Sequence, residues 1–102
     1  MKPVIPRARA VEDIEAAIDH LVVEAGSDVA LGFIDEVEQA FSELGEHPGT
    51  GSTRWAHELS LPGLRSWSLR RHPYVVFYLE REDHVDVWRV LHGRRDIPPK
   101  LA

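Results

Sequence analysis

The sequence predicts an α+β fold of order β-α-α-β-β-β, with an antiparallel sheet and an N-terminal antiparallel helix pair packed on one of its faces. Three observations carry this. Residues 8–44 hold two successive stretches whose apolar side chains recur at three- and four-residue steps, the period of a helix face. The later part of the chain, residues 64–92 above all, is rich in Val, Tyr, Phe and Trp in strand-length runs. Between them lies Pro48-Gly49-Thr50-Gly51-Ser52, a run of turn-forming residues. Helices grouped ahead of strands segregate into a helical layer and a sheet.

In chain order, residues 3–5 form a candidate short strand, bracketed by Pro3 and Pro6, which cannot donate ladder hydrogen bonds and so confine it to an edge. From about residue 8 to 25, Val11, Ile14, Ile18, Leu21 and Ala25 mark one face of an amphipathic helix that Gly26 ends. Ser27 or Asp28 then caps a second helix, with Val29, Phe33, Val37, Phe41 and Leu44 on its apolar face and Gly45 and His47-Pro48 at its end. So short a connection makes the two helices antiparallel neighbours. Residues 55–60 are a candidate strand and Leu61-Pro62-Gly63 a turn. Residues 64–70 are a second strand, with Trp67 and Leu69 on one face and Ser66 and Ser68 on the other. Residues 74–80 and 84–92 flank the charged turn Arg81-Glu82-Asp83 as a hairpin. The second arm breaks at Gly93 and releases Arg94, Arg95 and Asp96 beyond the sheet. Residues 97–102, with Pro98-Pro99, form a short irregular tail.

With 102 residues the chain has the size of one domain, residues 1–102, burying somewhat over about 60% of its unfolded surface. It contains no Cys, which excludes disulfides, thiolate zinc sites and a cysteine nucleophile and makes the cytoplasm the expected location. No run of about 18 consecutive apolar residues occurs, and the N-terminus lacks a signal-peptide apolar segment, so neither membrane insertion nor export is expected. The net charge of −5 conceals a division. Residues 8–47 carry eleven acids against one base, Arg9, whereas residues 48–102 carry nine bases against six acids. That is an acidic helical layer over a mildly basic sheet, too weakly basic for a dedicated nucleic-acid surface. The six histidines show neither H-E-x-x-H nor zinc-finger spacing. Gly49-x-Gly51 lacks the strand, helix and lysine of a phosphate loop, and no serine sits in a nucleophile elbow. No metal or other cofactor is expected.

One cluster can carry chemistry: Arg65, Arg70, Arg71, Arg89, Arg94 and Arg95 with His92. Guanidinium forks hold phosphates or carboxylates bidentately, and histidine exchanges protons near neutral pH. The purely structural alternative pairs Arg89 and Arg65 with acids such as Asp86 or Glu58 and uses His92 to satisfy a backbone group at a strand end.

The run YVVFYLE, a short turn, then VDVWRVLHGRRD resembles the signature of the RelE/ParE superfamily of bacterial type II toxins, most closely the ParE branch, whose members end in a similar RVLHG-x-RD run. Leu61-Pro62-Gly63-Leu64-Arg65-Ser66 and the helix pair fit the same pattern, so the resemblance covers nearly the whole chain. It implies a growth-inhibiting toxin, of the kind associated with plasmid stabilisation, that is neutralised by a cognate antitoxin and poisons DNA gyrase by protein contact. The RNA-cleaving RelE branch places an arginine within Gly-Tyr-Arg-x-x-Tyr and a tyrosine on a C-terminal helix. Here the run is Pro73-Tyr74-Val75-Val76-Phe77-Tyr78: Val75 stands at the arginine position, and no tyrosine follows Tyr78. The resemblance therefore implies no catalytic residues under the gyrase reading. A ribosome-dependent mRNA endonuclease is the alternative, with His92 as base and Arg89 and Arg95 as phosphate clamps. An inactive antitoxin-binding scaffold is the other. Arg94, Arg95 and Leu101 are the expected target contacts. Arg65, Trp67, Arg70, Arg71, Tyr74, Tyr78, Trp88 and Arg89 are the expected bed for an extended antitoxin tail that folds on binding.

Overall fold

The structure is a computed structural model that describes residues 1–97. Its elements run β1 (Val4–Pro6), α1 (Ala8–Ala25), α2 (Ser27–Glu46), a 3-10 turn (Pro48–Thr50), α3 (Arg54–Glu58), β2 (Leu64–Ser68), β3 (Tyr74–Glu80) and β4 (Val85–His92). The sheet has the order β1-β4-β3-β2. Strands β2, β3 and β4 form the expected antiparallel meander. β1 departs from the expectation of an all-antiparallel sheet, lying parallel to β4 with Val4 opposite Val85. No hairpin constrains that pair: the chain traverses the helix pair and two strands between them, so the direction of β1 follows from packing.

The helix pair is joined through Gly26 alone. Its φ of 96° and ψ of 166° lie in a region open essentially to glycine, and its amide donates back to Leu21 and Val22 carbonyls. α2 then starts directly at Ser27, and neither Ser27 nor Asp28 makes a side-chain cap. Asp28 lies in the first turn, where a negative charge meets the positive end of the helix dipole. Most of the expected apolar stripe turns inward, with Ile14, Ile18, Leu21 and Phe41 packed against the core, and small residues extend it. Ala10, Ala17, Ala30 and Ala40 are buried with Phe33, Val37 and Leu44, whereas Val11 and Val29 remain 40% and 38% exposed. Ala17 lies beside Tyr74 and Val90 of the sheet and Ala40 beside Trp67 and Leu69, so small side chains take part in the helix–sheet contact. α2 ends as expected at His47, its C-cap, one residue beyond a last helical Glu46, whereas Gly45 lies just inside the helix and is a glycine because a Cβ there would meet the Lys2 carbonyl oxygen at 2.8 Å. The close approach is sealed by Lys2 N donating to Gly45 O at 2.9 Å.

The sheet buries both faces. Tyr74, Val76, Tyr78, Val85, Val87 and Val90 pack with α1 and α2. Leu64, Phe77 and Leu91 point the other way, joined by Ile97 and covered in part by Trp55, Ala56 and Leu59. That second core explains why residues 55–60 are not a strand. A helical turn brings Trp55 and Ala56 of α3 and its C-cap Leu59 together onto this core, each partly buried, where alternation would split them. β2 ends at Ser68, two residues earlier than expected. Beyond it, the Arg70 and Arg71 amides donate to the Glu36 carboxylate of α2 at 2.8 and 3.0 Å, leaving the strand path. In β4 the register skips Trp88 at a bulge opposite Phe77/Tyr78.

Candidate functional site

Three clefts take in some of the expected site residues, the first and third sharing Leu69 and the second and third sharing Tyr74. The first, of about 540 Å³, lies between α2 and the β2 edge. Ala40, Trp67 and Leu69 give it an apolar floor, Gln39 and Glu43 line its helix side, and Arg70 and Arg71 line the strand side. Glu36 holds this arrangement together. Its carboxylate accepts both arginine amides and lies 2.8 Å from His72 Nδ1. Burial opposes its ionisation, yet the hydrogen bonds from His72, Arg71 and Arg70 outweigh burial and hold Glu36 below the usual carboxylate range. Of the residues expected to receive an antitoxin, Trp67, Arg70 and Arg71 therefore converge here.

The others do not. Tyr78 is fully buried; its hydroxyl donates to Pro48 O at 2.8 Å and accepts from Gly51 N at 2.9 Å, tying the loop to the sheet. Arg65 spends its guanidinium on Gly51 O at 2.8 Å rather than on Glu58. Arg89 is 6% exposed and gripped bidentately by Asp13 of α1, at 2.7 and 2.8 Å, not by Asp86. The same carboxylate accepts the Val90 amide at 3.0 Å, beside the bulge. Asp86 instead takes Arg7 and Arg81. The hydrogen bond from Arg7 comes first in holding its carboxyl below the usual range. Trp88 packs on the opposite face, and Tyr74 is buried between Phe33 and His92.

A second cleft, of about 240 Å³, is lined by Asp13, His20, Tyr74, Arg95 and Asp96 among others. Arg95 is exposed, with its guanidinium 3.5 Å from His20 Nε2 and 3.4 Å from the Tyr74 hydroxyl. Burial pushes the Tyr74 phenol upward, so it stays protonated at neutral pH. His92 ends β4 as the structural reading expects: its Nδ1 accepts the amides of Arg94 and Arg95, both at 3.2 Å. An Nδ1 that accepts carries no proton, which assigns the proton of the neutral ring to Nε2. Burial, aided by the Arg95 charge, lowers the His92 pKa and favours that neutral form. Neither nitrogen then offers a free lone pair to a ribose hydroxyl. With Arg89 committed to Asp13, the nuclease set of Arg89, His92 and Arg95 retains only Arg95 as an exposed cation.

Arg94 is exposed beside a third cleft on the sheet face away from the helix pair. Leu101, the remaining expected target contact, lies outside the described residues. No group of His, Cys, Asp or Glu among the described residues is arranged to hold a metal ion, and no helix among them is long and apolar enough to cross a membrane. The residues that sequence reasoning missed are Glu36 and Asp13. Both looked like members of an acidic solvent face, and only their helical phase beside Phe33, Val37 and Ile14 hinted that they turn inward.

The family model described as "ParE toxin of type II toxin-antitoxin system, parDE" matches residues 4–97. Among solved structures, a chain from "Chromosomal ParDE TA system from P. aeruginosa" superposes with a TM-score of 0.76 at 22% identity, over 90% of this chain and 96% of that one. At that identity the likeness is one of fold. No curated protein matches.

Proposed function

This chain belongs to the ParE toxin family of type II toxin–antitoxin systems, and from that premise we propose that it arrests growth by binding DNA gyrase in the bacterial cytoplasm, and that a cognate antitoxin neutralises it. The observation that carries the choice of a binding poison over an RNA-cleaving enzyme is the state of His92. Its Nδ1 lone pair is occupied by two backbone amides and its ionised form is disfavoured, so a general base is missing from the place where a nuclease would need one. Val75 in place of the nuclease arginine and the Asp13 grip on Arg89 point the same way. The antitoxin is assigned to the groove between α2 and β2. Its apolar floor suits an amphipathic segment, and Arg70 and Arg71 meet that segment's acids. Arg94 and Arg95 remain the proposed target contacts.

The test is induction of the chain alone and together with the protein encoded beside it. Growth arrest that persists in a His92→Ala variant, and is relieved by the neighbouring protein, is the expected result. Arrest lost in a His92→Ala variant that still folds and still binds its antitoxin would return the nuclease reading to first place.

A further inference from the structure

We propose that the third cleft, on the sheet face away from the α1–α2 pair, is a docking site for an acidic peptide segment carrying one bulky apolar side chain. The cleft measures about 430 Å³. Val75 and Ile97 lie on the apolar side, the Ser66 and Ser68 side chains line a wall, and Arg54 and Arg94 stand at the rim. Its charge sets it apart. The other two clefts are lined by carboxylates, Glu36 and Glu43 in one and Asp13 and Asp96 in the other, whereas among the described residues none lines this one. In a chain of net charge −5, a cleft edged by two arginines and free of acids selects for a negative ligand. The Arg94 guanidinium pairs with no acid among the described residues. Arg54 stacks on Trp55 at 4.8 Å and meets Glu58 only at 3.7 Å between largely exposed side chains, a contact of little energetic weight. Both remain available to carboxylates in the charge-assisted geometry that guanidinium favours. A polyanion fits less well. Nucleic-acid affinity grows with the number of phosphates neutralised, and two arginines on a net-acidic protein neutralise few. A short acidic peptide with one apolar anchor matches both the charge and the apolar side.

The groove assigned to the antitoxin shares only Leu69 with this cleft, so the segment is assigned to the protein the toxin acts on; that part rests on the functional reading above. The full chain, labelled with nitrogen-15, is titrated with the capped peptide Glu-Asp-Phe-Asp-Glu, with its neutral counterpart Gln-Asn-Phe-Asn-Gln and with a short oligothymidylate. The acidic peptide is expected to shift the amides of Ser66, Ser68, Val75 and Arg94. An Arg54→Glu/Arg94→Glu variant should lose about tenfold or more in affinity, with amide positions elsewhere unchanged. Equal binding of the neutral peptide, tighter binding of the oligothymidylate, or shifts confined to the Arg70–Arg71 groove would overturn the proposal. In cells, the same variant should lose growth arrest yet still co-purify with the antitoxin. Retained arrest, or loss of antitoxin capture, would contradict the assignment to the target. A wild-type chain that arrests nothing would count against the toxin reading and leave the peptide titration to decide the cleft.

Discussion

Two carboxylates decide more of this molecule than their position in an acidic helical layer suggests. Asp13 joins α1 to β4 through Arg89 and the Val90 amide. Asp13→Leu leaves a nearly buried guanidinium unpaired, and removal of one partner from such a pair costs about 3–5 kcal/mol. Urea denaturation should show a loss in that range, and adding Arg89→Met should recover much of it; a single substitution costing under 1 kcal/mol would show the pair to be dispensable. Glu36 joins α2 to the turn after β2. Glu36→Gln cannot accept from all three donors at once, and a buried unsatisfied donor costs about 1–3 kcal/mol. Its pH signature has a definite sign. Because its folded-state pKa lies below the unfolded one, Glu36 contributes stability that is present above the ordinary carboxylate range and is lost as pH falls through that range toward the lowered value. Chemical denaturation across this window should show a shallower acid loss in Glu36→Gln than in the wild type. Parallel curves would remove Glu36 from the account.

At the scale of elements, the helix hairpin depends on one backbone conformation. Gly26→Ala places a Cβ at φ 96° and ψ 166°, a strain of about 1–3 kcal/mol, while meeting no neighbouring atom within 4 Å. Thermal melting should register that cost, and a neutral substitution would mean that the hairpin relaxes to another connection. The loop onto β3 depends on Tyr78. Tyr78→Phe removes the hydroxyl that serves Pro48 O and Gly51 N and should cost about 1–3 kcal/mol with the sheet intact. These elements differ in how well the sequence announces them. The strong periodicity of α1 and α2 and the β-branched, aromatic runs of β3 and β4 were legible to within a residue or two. α3 was not, because six residues containing Trp55, Ala56 and Leu59 fit a short helix or a short strand equally well until a second core on the far face decides between them. The parallel pairing of β1 was equally hidden. Nothing local in Val4–Pro6 encodes direction, which follows from where the helix pair returns the chain.

For the molecule as a whole, the division of charge along the sequence becomes a division of faces and grooves. The groove beside α2 sets Arg70 and Arg71 opposite Glu43, so charge reversal at both arginines should weaken antitoxin capture by about tenfold or more and reduce its sensitivity to salt. Unchanged capture in a pull-down would move the antitoxin elsewhere. Of the residues proposed as an antitoxin bed, Trp67, Arg70 and Arg71 line one groove, whereas Tyr78 and Arg89 carry attractive chemistry but are consumed by internal bonds that only tertiary structure reveals. The same consumption of Arg89 and His92 underlies the central claim, that this toxin binds a protein target and does not cleave RNA. The most direct measurement places the purified chain in two parallel reactions, one with DNA gyrase and plasmid, the other with translating ribosomes and a defined mRNA. Inhibited supercoiling with trapped gyrase–DNA cleavage complexes, and intact mRNA, is the predicted result; cleaved mRNA with supercoiling untouched is the result that would contradict it.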